Sequence, residues 1–114
     1  MIQLKVGIAG FGVVGKRRKE CLDLHSEINV VGVCDRSFTT PETLDDGTPC
    51  YMDYLDLLQN DLDILFVCIT NDIAPEVTIA ALKAGLHVFC EKPPGRTVDD
   101  IREVIELESQ YPGL

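Results

Sequence analysis

The chain has no tryptophan, only two histidines and ten basic residues against nineteen acidic ones. A formal charge of −9 disfavours nucleic acid and an anionic membrane surface as partners, because both call for an excess of Lys and Arg to neutralise phosphate. The histidines, His25 and His87, fall in different predicted elements without ligand spacing, so a zinc site is not expected. The cysteines, Cys21, Cys34, Cys50, Cys68 and Cys90, are odd in number and form no C-x-x-C pair. Such a set suits free thiols in a reducing cytoplasm better than a disulfide framework. No apolar run is long enough to span a bilayer, and the first residues lead into Ile2-Gln3-Leu4-Lys5-Val6 without a signal-peptide layout. The expectation is a soluble cytoplasmic protein. Its 114 residues suffice for one domain with a real core, and the scattered acids read as a solvated surface.

What is present is an alternation of strand-like and helix-like runs. A first strand over Leu4 to Ala9 leads through a glycine turn into a helix from about Val13 to Leu24. Ile28 to Cys34 is a continuous apolar run rich in β-branched residues, the pattern of a strand buried on both faces. Residues 37–49, broken by Pro41, Gly47 and Pro49, are expected to be a loop leading to a short third strand around Cys50-Tyr51 and a short helix over Asp53 to Leu58. Ile64 to Ile69 is a fourth strand. A helix follows, with Asn71 or Asp72 as its cap, Pro75 in its first turn and Gly85 at its end. Leu86 to Cys90 is the fifth strand. Thr97-Val98-Asp99-Asp100 opens a last helix whose Ile101, Val104 and Ile105 are expected on one face.

Strands joined by helices imply an α/β fold of Rossmann type: a doubly wound parallel sheet in three layers, here with about five strands. Ligands of such sheets lie beyond the carboxyl ends of the strands, where strand order reverses. Four segments fall there. Gly10-Phe11-Gly12-Val13-Val14-Gly15 is a full G-x-G-x-x-G between strand and helix, suited to cradling a pyrophosphate against a helix N-terminus. Asp35, at the end of the second strand, is placed to accept hydrogen bonds from a ribose. Its carboxylate favours NAD over NADP, although Arg36 beside it could hold a 2′-phosphate. Ile69-Thr70-Asn71 follow the fourth strand, with Asn71 suited equally to cofactor contact and to helix capping. Glu91-Lys92-Pro93 follows the fifth strand, and Lys92 there could move a proton at a substrate hydroxyl or carbonyl during hydride transfer. Pro93 fixes that turn and permits a cis bond, while the motif alone would equally suit a surface lysine. Lys16-Arg17-Arg18-Lys19 reads as a solvated helix face and His87 as a packed strand residue. Loop and turn together indicate a nicotinamide-dependent dehydrogenase or a piece of one. An S-adenosylmethionine-dependent methyltransferase would share the loop and Asp35 but leave Glu91-Lys92-Pro93 without a role.

Three segments carry a resemblance: Val6 to Gly12 with Gly15, Val33-Cys34-Asp35, and Ala80 to Pro93. Through them the chain resembles the N-terminal domain of the glucose-fructose oxidoreductase / inositol dehydrogenase / rhizopine-catabolism family (Gfo/Idh/MocA). The resemblance implies an NAD(P)-binding domain over residues 1–114. Its expected cofactor contacts are Gly10, Phe11, Gly12, Val13, Val14, Gly15, Asp35, Arg36, Ile69, Thr70, Asn71, Glu91 and Lys92, with Lys92 the active-site lysine. It implies oxidation or reduction of a sugar, cyclitol or sugar-derivative alcohol, and a homo-oligomer. One departure is that the family often reads Thr-Pro-Asn with a nearby His where this chain has Ile69-Thr70-Asn71 and Ala74. The family's second domain, which supplies substrate contacts and partners for the lysine, is expected to be missing, along with a sixth strand of the nucleotide domain. The polypeptide alone is therefore expected to bind cofactor weakly and turn over nothing. A stand-alone NAD(H)-sensing module is the alternative.

Overall fold

The computed structural model describes residues 2–114. In chain order the elements are β1 (Leu4–Ala9), α1 (Val13–Leu22), β2 (Ile28–Cys34), β3 (Glu42–Thr43), β4 (Pro49–Tyr51), α2 (Tyr54–Leu57), β5 (Ile64–Val67), α3 (Ala74–Lys83), β6 (His87–Cys90) and α4 (Val98–Glu108). They form one sheet in the order β3-β4-β2-β1-β5-β6, with every pair parallel except β3 and β4. The five expected strands are all present. A further strand that was not expected, β3, lies in the stretch read as a loop: two residues pair antiparallel with β4, too few to leave an alternation in the sequence.

The chain winds outward from β1 in both directions, to β2 and β4 on one side and to β5 and β6 on the other. The reversal of strand order therefore falls between β1 and β5. Residues alternate along each strand between two cores. Val6, Ile8, Val30 and Val33 are buried with Leu22 of α1 on one face. Ala9, Leu65 and Val67 are buried with Leu57, Val77 and Ala81 on the other, under α2 and α3. Leu57 is the one buried residue of a four-residue helix, and the strands make room for it. A Cβ added to Gly32 would come within 3.0 Å of its Cδ1, and one on Gly7 within 3.4 Å. Full burial of such a leucine contributes roughly 1.5–3 kcal/mol.

Local chemistry sets the helix ends. Asp53 caps α2 by accepting from the Leu55 amide at 2.9 Å, and Thr97 and Asp100 form the expected reciprocal capping box on α4. Helix α3 differs from expectation. Its N-cap is Ile73, with no side-chain hydrogen bond, and neither Asn71 nor Asp72 caps it. The Thr70 carbonyl instead accepts the Ile73 and Ala74 amides at 3.0 and 2.9 Å, so a backbone turn does the work of a cap. On α4, Ile101, Val104 and Leu107 are half-buried, but Ile105 is 57% exposed and has turned off the packed face.

The basic run on α1 also departs from a solvated face. Lys16 and Arg17 are exposed, but Lys19 is buried and pairs with both Asp23 and Asp46, pinning the β3–β4 turn to α1. Arg18 is half-buried against Glu91. His87, expected to be packed, is exposed at the start of β6, an edge strand of the sheet. All five cysteines are free; Cys34 and Cys50 are buried and Cys21 is exposed. Among the described residues no helix is long and apolar enough to cross a membrane, and no cluster of three His, Cys, Asp or Glu residues could hold a metal.

Candidate functional site

The glycine loop runs from the end of β1 into α1, and its three glycines face three different surroundings. Gly10 has φ +95°, and a Cβ there would lie 2.2 Å from the Cys68 carbonyl oxygen, so the turn and the close approach to β5 both require glycine. A Cβ on Gly15 would lie 2.0 Å from the Gly10 carbonyl oxygen, which makes Gly15 the contact between helix and strand. Gly12 is the opposite case: nothing lies within 4 Å of where its Cβ would stand. That open flank faces a crevice of about 210 Å³ lined by Gly10, Gly12, Asp35, Arg36, Cys68, Ile69 and Thr70. Gly12 is also the N-cap of α1 and offers no side chain to its first-turn amides, which are left for an external acceptor.

Asp35 is built into this loop. Its Oδ2 accepts the Phe11 amide at 2.6 Å and its Oδ1 accepts the Ser37 amide at 2.9 Å. Partial burial pushes its pKa up, but the hydrogen bonds from Ser37 and Phe11 outweigh that, and the carboxyl titrates below its ordinary value. A fixed anion therefore stands at the rim of the crevice. Phe11 packs its ring on Phe38 at 6.4 Å, under Lys16 Nζ at 6.0 Å.

A second cavity, of about 240 Å³, shares Asp35, Arg36 and Ile69 with the first and continues past β2 and β4. Its further walls are Met52, Asp53, Tyr54, Ile73 and Glu76, mostly apolar in surface. The Tyr54 hydroxyl donates to Glu76 Oε2 at 2.9 Å across that wall, and burial together with the Glu76 charge pushes the phenol up to about 12. Cys34, at the cavity floor, is a neutral packing group: burial pushes its thiol up to about 12.

On the other flank, β6 ends at Cys90, and the Glu91 amide still donates to the Val67 carbonyl at 2.9 Å. Glu91 directs its carboxylate to Arg18 of α1. Lys92 is exposed, forms no salt bridge among the described residues, and is joined to Pro93 by a cis peptide bond. The structure thus brings Gly10, Gly12, Asp35, Arg36, Ile69 and Thr70 onto one cavity. Val13 and Val14 are exposed on the first turn of α1, while Asn71 is half-buried and lines neither cavity. The sequence reading missed Met52, Tyr54, Ile73 and Glu76. The only signal for them was the loop position of Met52 after β4; Glu76 meets Tyr54 only through the fold.

Comparison with known proteins fits this geometry. The oxidoreductase family described by its NAD-binding Rossmann fold (Gfo/Idh/MocA) matches residues 4–113. Inositol 2-dehydrogenase of Salmonella typhimurium is 34% identical over 113 residues, covering 94% of this chain and 34% of that protein. D-glucoside 3-dehydrogenase of Escherichia coli is 33% identical over 108 residues, covering 90% of this chain and 31% of that protein. Among solved structures, the WlbA dehydrogenase of Chromobacterium violaceum, in complex with NADH and UDP-GlcNAcA, superposes with a TM-score of 0.83. Its identity is 20%, covering 97% of this chain and 33% of that one, and it speaks for the fold alone. The chain spans about a third of the length of the relatives it matches.

Proposed function

The chain belongs to the Gfo/Idh/MocA oxidoreductase family with its NAD-binding Rossmann fold, and from that premise we propose how its own residues serve a hydride-transfer reaction. The carrying observation is that Gly12's unobstructed flank, the fixed Asp35 carboxylate and Thr70 line one crevice at the reversal of strand order. A Cβ on Gly12 would fill that space, so the residues present fit a dinucleotide.

The first-turn amides of α1 hold the pyrophosphate. Asp35 accepts from the adenosine ribose hydroxyls, and the largely apolar cavity walled by Met52, Tyr54 and Ile73 takes the adenine. Arg36 borders both cavities; Val13 and Val14 stand with the first-turn amides of α1 at the pyrophosphate, and Asn71 and the Glu91-Lys92 turn flank the nicotinamide end. NAD is preferred to NADP, because Asp35 is held anionic and would repel a 2′-phosphate. When bound, the nicotinamide ring supplies or accepts the hydride. Lys92 takes the proton from the substrate hydroxyl, or returns it to the carbonyl oxygen, as the substrate is oxidised or reduced.

The substrate class is a sugar, a cyclitol or a related alcohol. This reading rests on the family and on relatives that act on inositol and on glucosides. The chain spans about a third of these relatives, so substrate contacts and a partner for Lys92 are assigned to residues outside this stretch, which by itself binds cofactor weakly and without turnover. Calorimetric titration with NADH tests the binding step. Loss of turnover on Lys92→Ala, in a longer protein carrying this domain, tests the chemistry; unchanged turnover would refute the role of Lys92.

A further inference from the structure

Arg18 stands on α1 three residues past the last loop glycine, and its guanidinium crosses to the opposite flank of the site. Its Nε donates to Glu91 Oε1 at 2.6 Å, and Nη2 donates to the same oxygen. The Glu91 side chain is only 18% exposed, so its carboxylate has left most of its water for this one partner. The guanidinium also lies 5.5 Å from the centroid of the Phe89 ring, and that ring stacks on Phe66 at 4.8 Å. Phe66, Phe89, Arg18 and Glu91 thus form one column, from the sheet to the helix and back to the end of β6. The opposite side of Glu91 is held by its amide, which donates to Val67. Lys92 is the next residue.

We propose that Arg18 is a positioning residue for Lys92: by binding Glu91 it locks the turn that carries the lysine to the helix that follows the glycine loop. The two ends of the dinucleotide site, the pyrophosphate cradle and the nicotinamide flank, are then held in one fixed relation. The inference rests on the dinucleotide reading above and adds a residue that the glycine and Glu-Lys-Pro motifs do not contain. A tie of this kind has a signature that overall stabilisation lacks. It matters to a ligand that reaches both ends of the site and not to one that occupies only the first.

The test compares NADH with ADP-ribose, which lacks the nicotinamide, on the 114-residue chain and its Arg18→Gln, Glu91→Gln and double variants. Arg18→Gln is expected to weaken NADH about three- to fivefold, the range for a partly solvated ion pair, while ADP-ribose affinity stays within about twofold. Glu91→Gln should do the same, and the double variant should lose no more than either single one. Arg18→Lys should restore part of the loss, since it keeps the charge but not the forked donors. With 13C-labelled lysine, assigned through Lys92→Arg, the Lys92 Cε resonance should shift on NADH but not on ADP-ribose, and the shift should vanish in Arg18→Gln. Equal weakening of both ligands, or unchanged NADH affinity with an unchanged Lys92 response, would overturn the proposal and leave the dinucleotide reading intact. A wild-type chain that binds neither ligand would overturn the dinucleotide reading and the proposal with it.

Discussion

Gly12 and Gly15 lie three residues apart, yet alanine should act on them in opposite ways. At Gly15 the added Cβ would sit 2.0 Å from the Gly10 carbonyl oxygen, where real Cβ contacts stop near 3.0 Å, so α1 must withdraw from β1 by about 1 Å. The obstacle is backbone and cannot rotate away. Overpacking of this kind costs about 1–3 kcal/mol, and the gain from replacing a helical glycine offsets at most about 1 kcal/mol of it. A net loss of about 1–2 kcal/mol should lower the melting temperature by roughly 4–8 °C. At Gly12 nothing lies within 4 Å and φ is −80°, so Gly12→Ala should leave stability within about 0.5 kcal/mol of wild type. The same methyl would stand where the pyrophosphate must approach, and NADH affinity should fall at least about tenfold. The chain contains no tryptophan, so far-ultraviolet circular dichroism follows unfolding and the fluorescence of NADH itself follows binding. A Gly12→Ala chain that binds NADH normally, or a Gly15→Ala chain as stable as wild type, would refute the assignment of these glycines.

Asp35→Asn keeps the size but gives up the charge that accepts the Phe11 and Ser37 amides, and should cost about 1 kcal/mol after allowance for solvent. The folded pKa of Asp35 lies below its unfolded value, so its contribution is full above about pH 4 and fades as pH falls through the folded value. The gap between variant and wild type in urea denaturation should therefore close under acid conditions; a gap that widens there would contradict the assignment. Lys19→Met should destabilise the chain by about 1 kcal/mol by releasing Asp46 and the β3–β4 turn. Burial opposes the charge on Lys19, but its hydrogen bonds to Asp23 and Asp46 prevail and raise its pKa. That stabilisation is full below about pH 10 and lost as pH rises through the folded value, so hydrogen exchange in residues 44–48 should accelerate in Lys19→Met at neutral pH and converge with wild type at high pH. Lys92→Ala should leave ADP-ribose affinity unchanged, because that lysine lies at the nicotinamide flank; a loss of ADP-ribose binding would place it elsewhere.

The elements that could be read from the sequence are those whose chemistry is local. The glycine loop, the apolar run of β2, the box at Thr97-Asp100 and the stop at Gly85 each carry their signal within a few residues, and each stands where expected. What escaped was set by distance along the chain. Arg18 and Glu91 are 73 residues apart, and Lys19 and Asp46 are 27 apart. In both pairs a helix cation that looks solvated is taken up by an acid that only the fold delivers. Asn71 and Asp72 have the chemistry of a cap, yet the backbone turn at Thr70 forestalls them. The exposure of His87 follows from its place on an edge strand, which no local pattern reveals.

On the proposed function, residues 1–114 by themselves form a dinucleotide site around Gly12 and Asp35. Parallel calorimetric titrations with NADH, NADPH and S-adenosylmethionine test it most directly, with Asp35→Ala beside the wild type. Binding of NADH is expected, with weaker or no binding of NADPH, none of S-adenosylmethionine, and loss of the NADH signal in Asp35→Ala. Binding of S-adenosylmethionine with none of either dinucleotide, or NADH binding indifferent to Asp35, would contradict it.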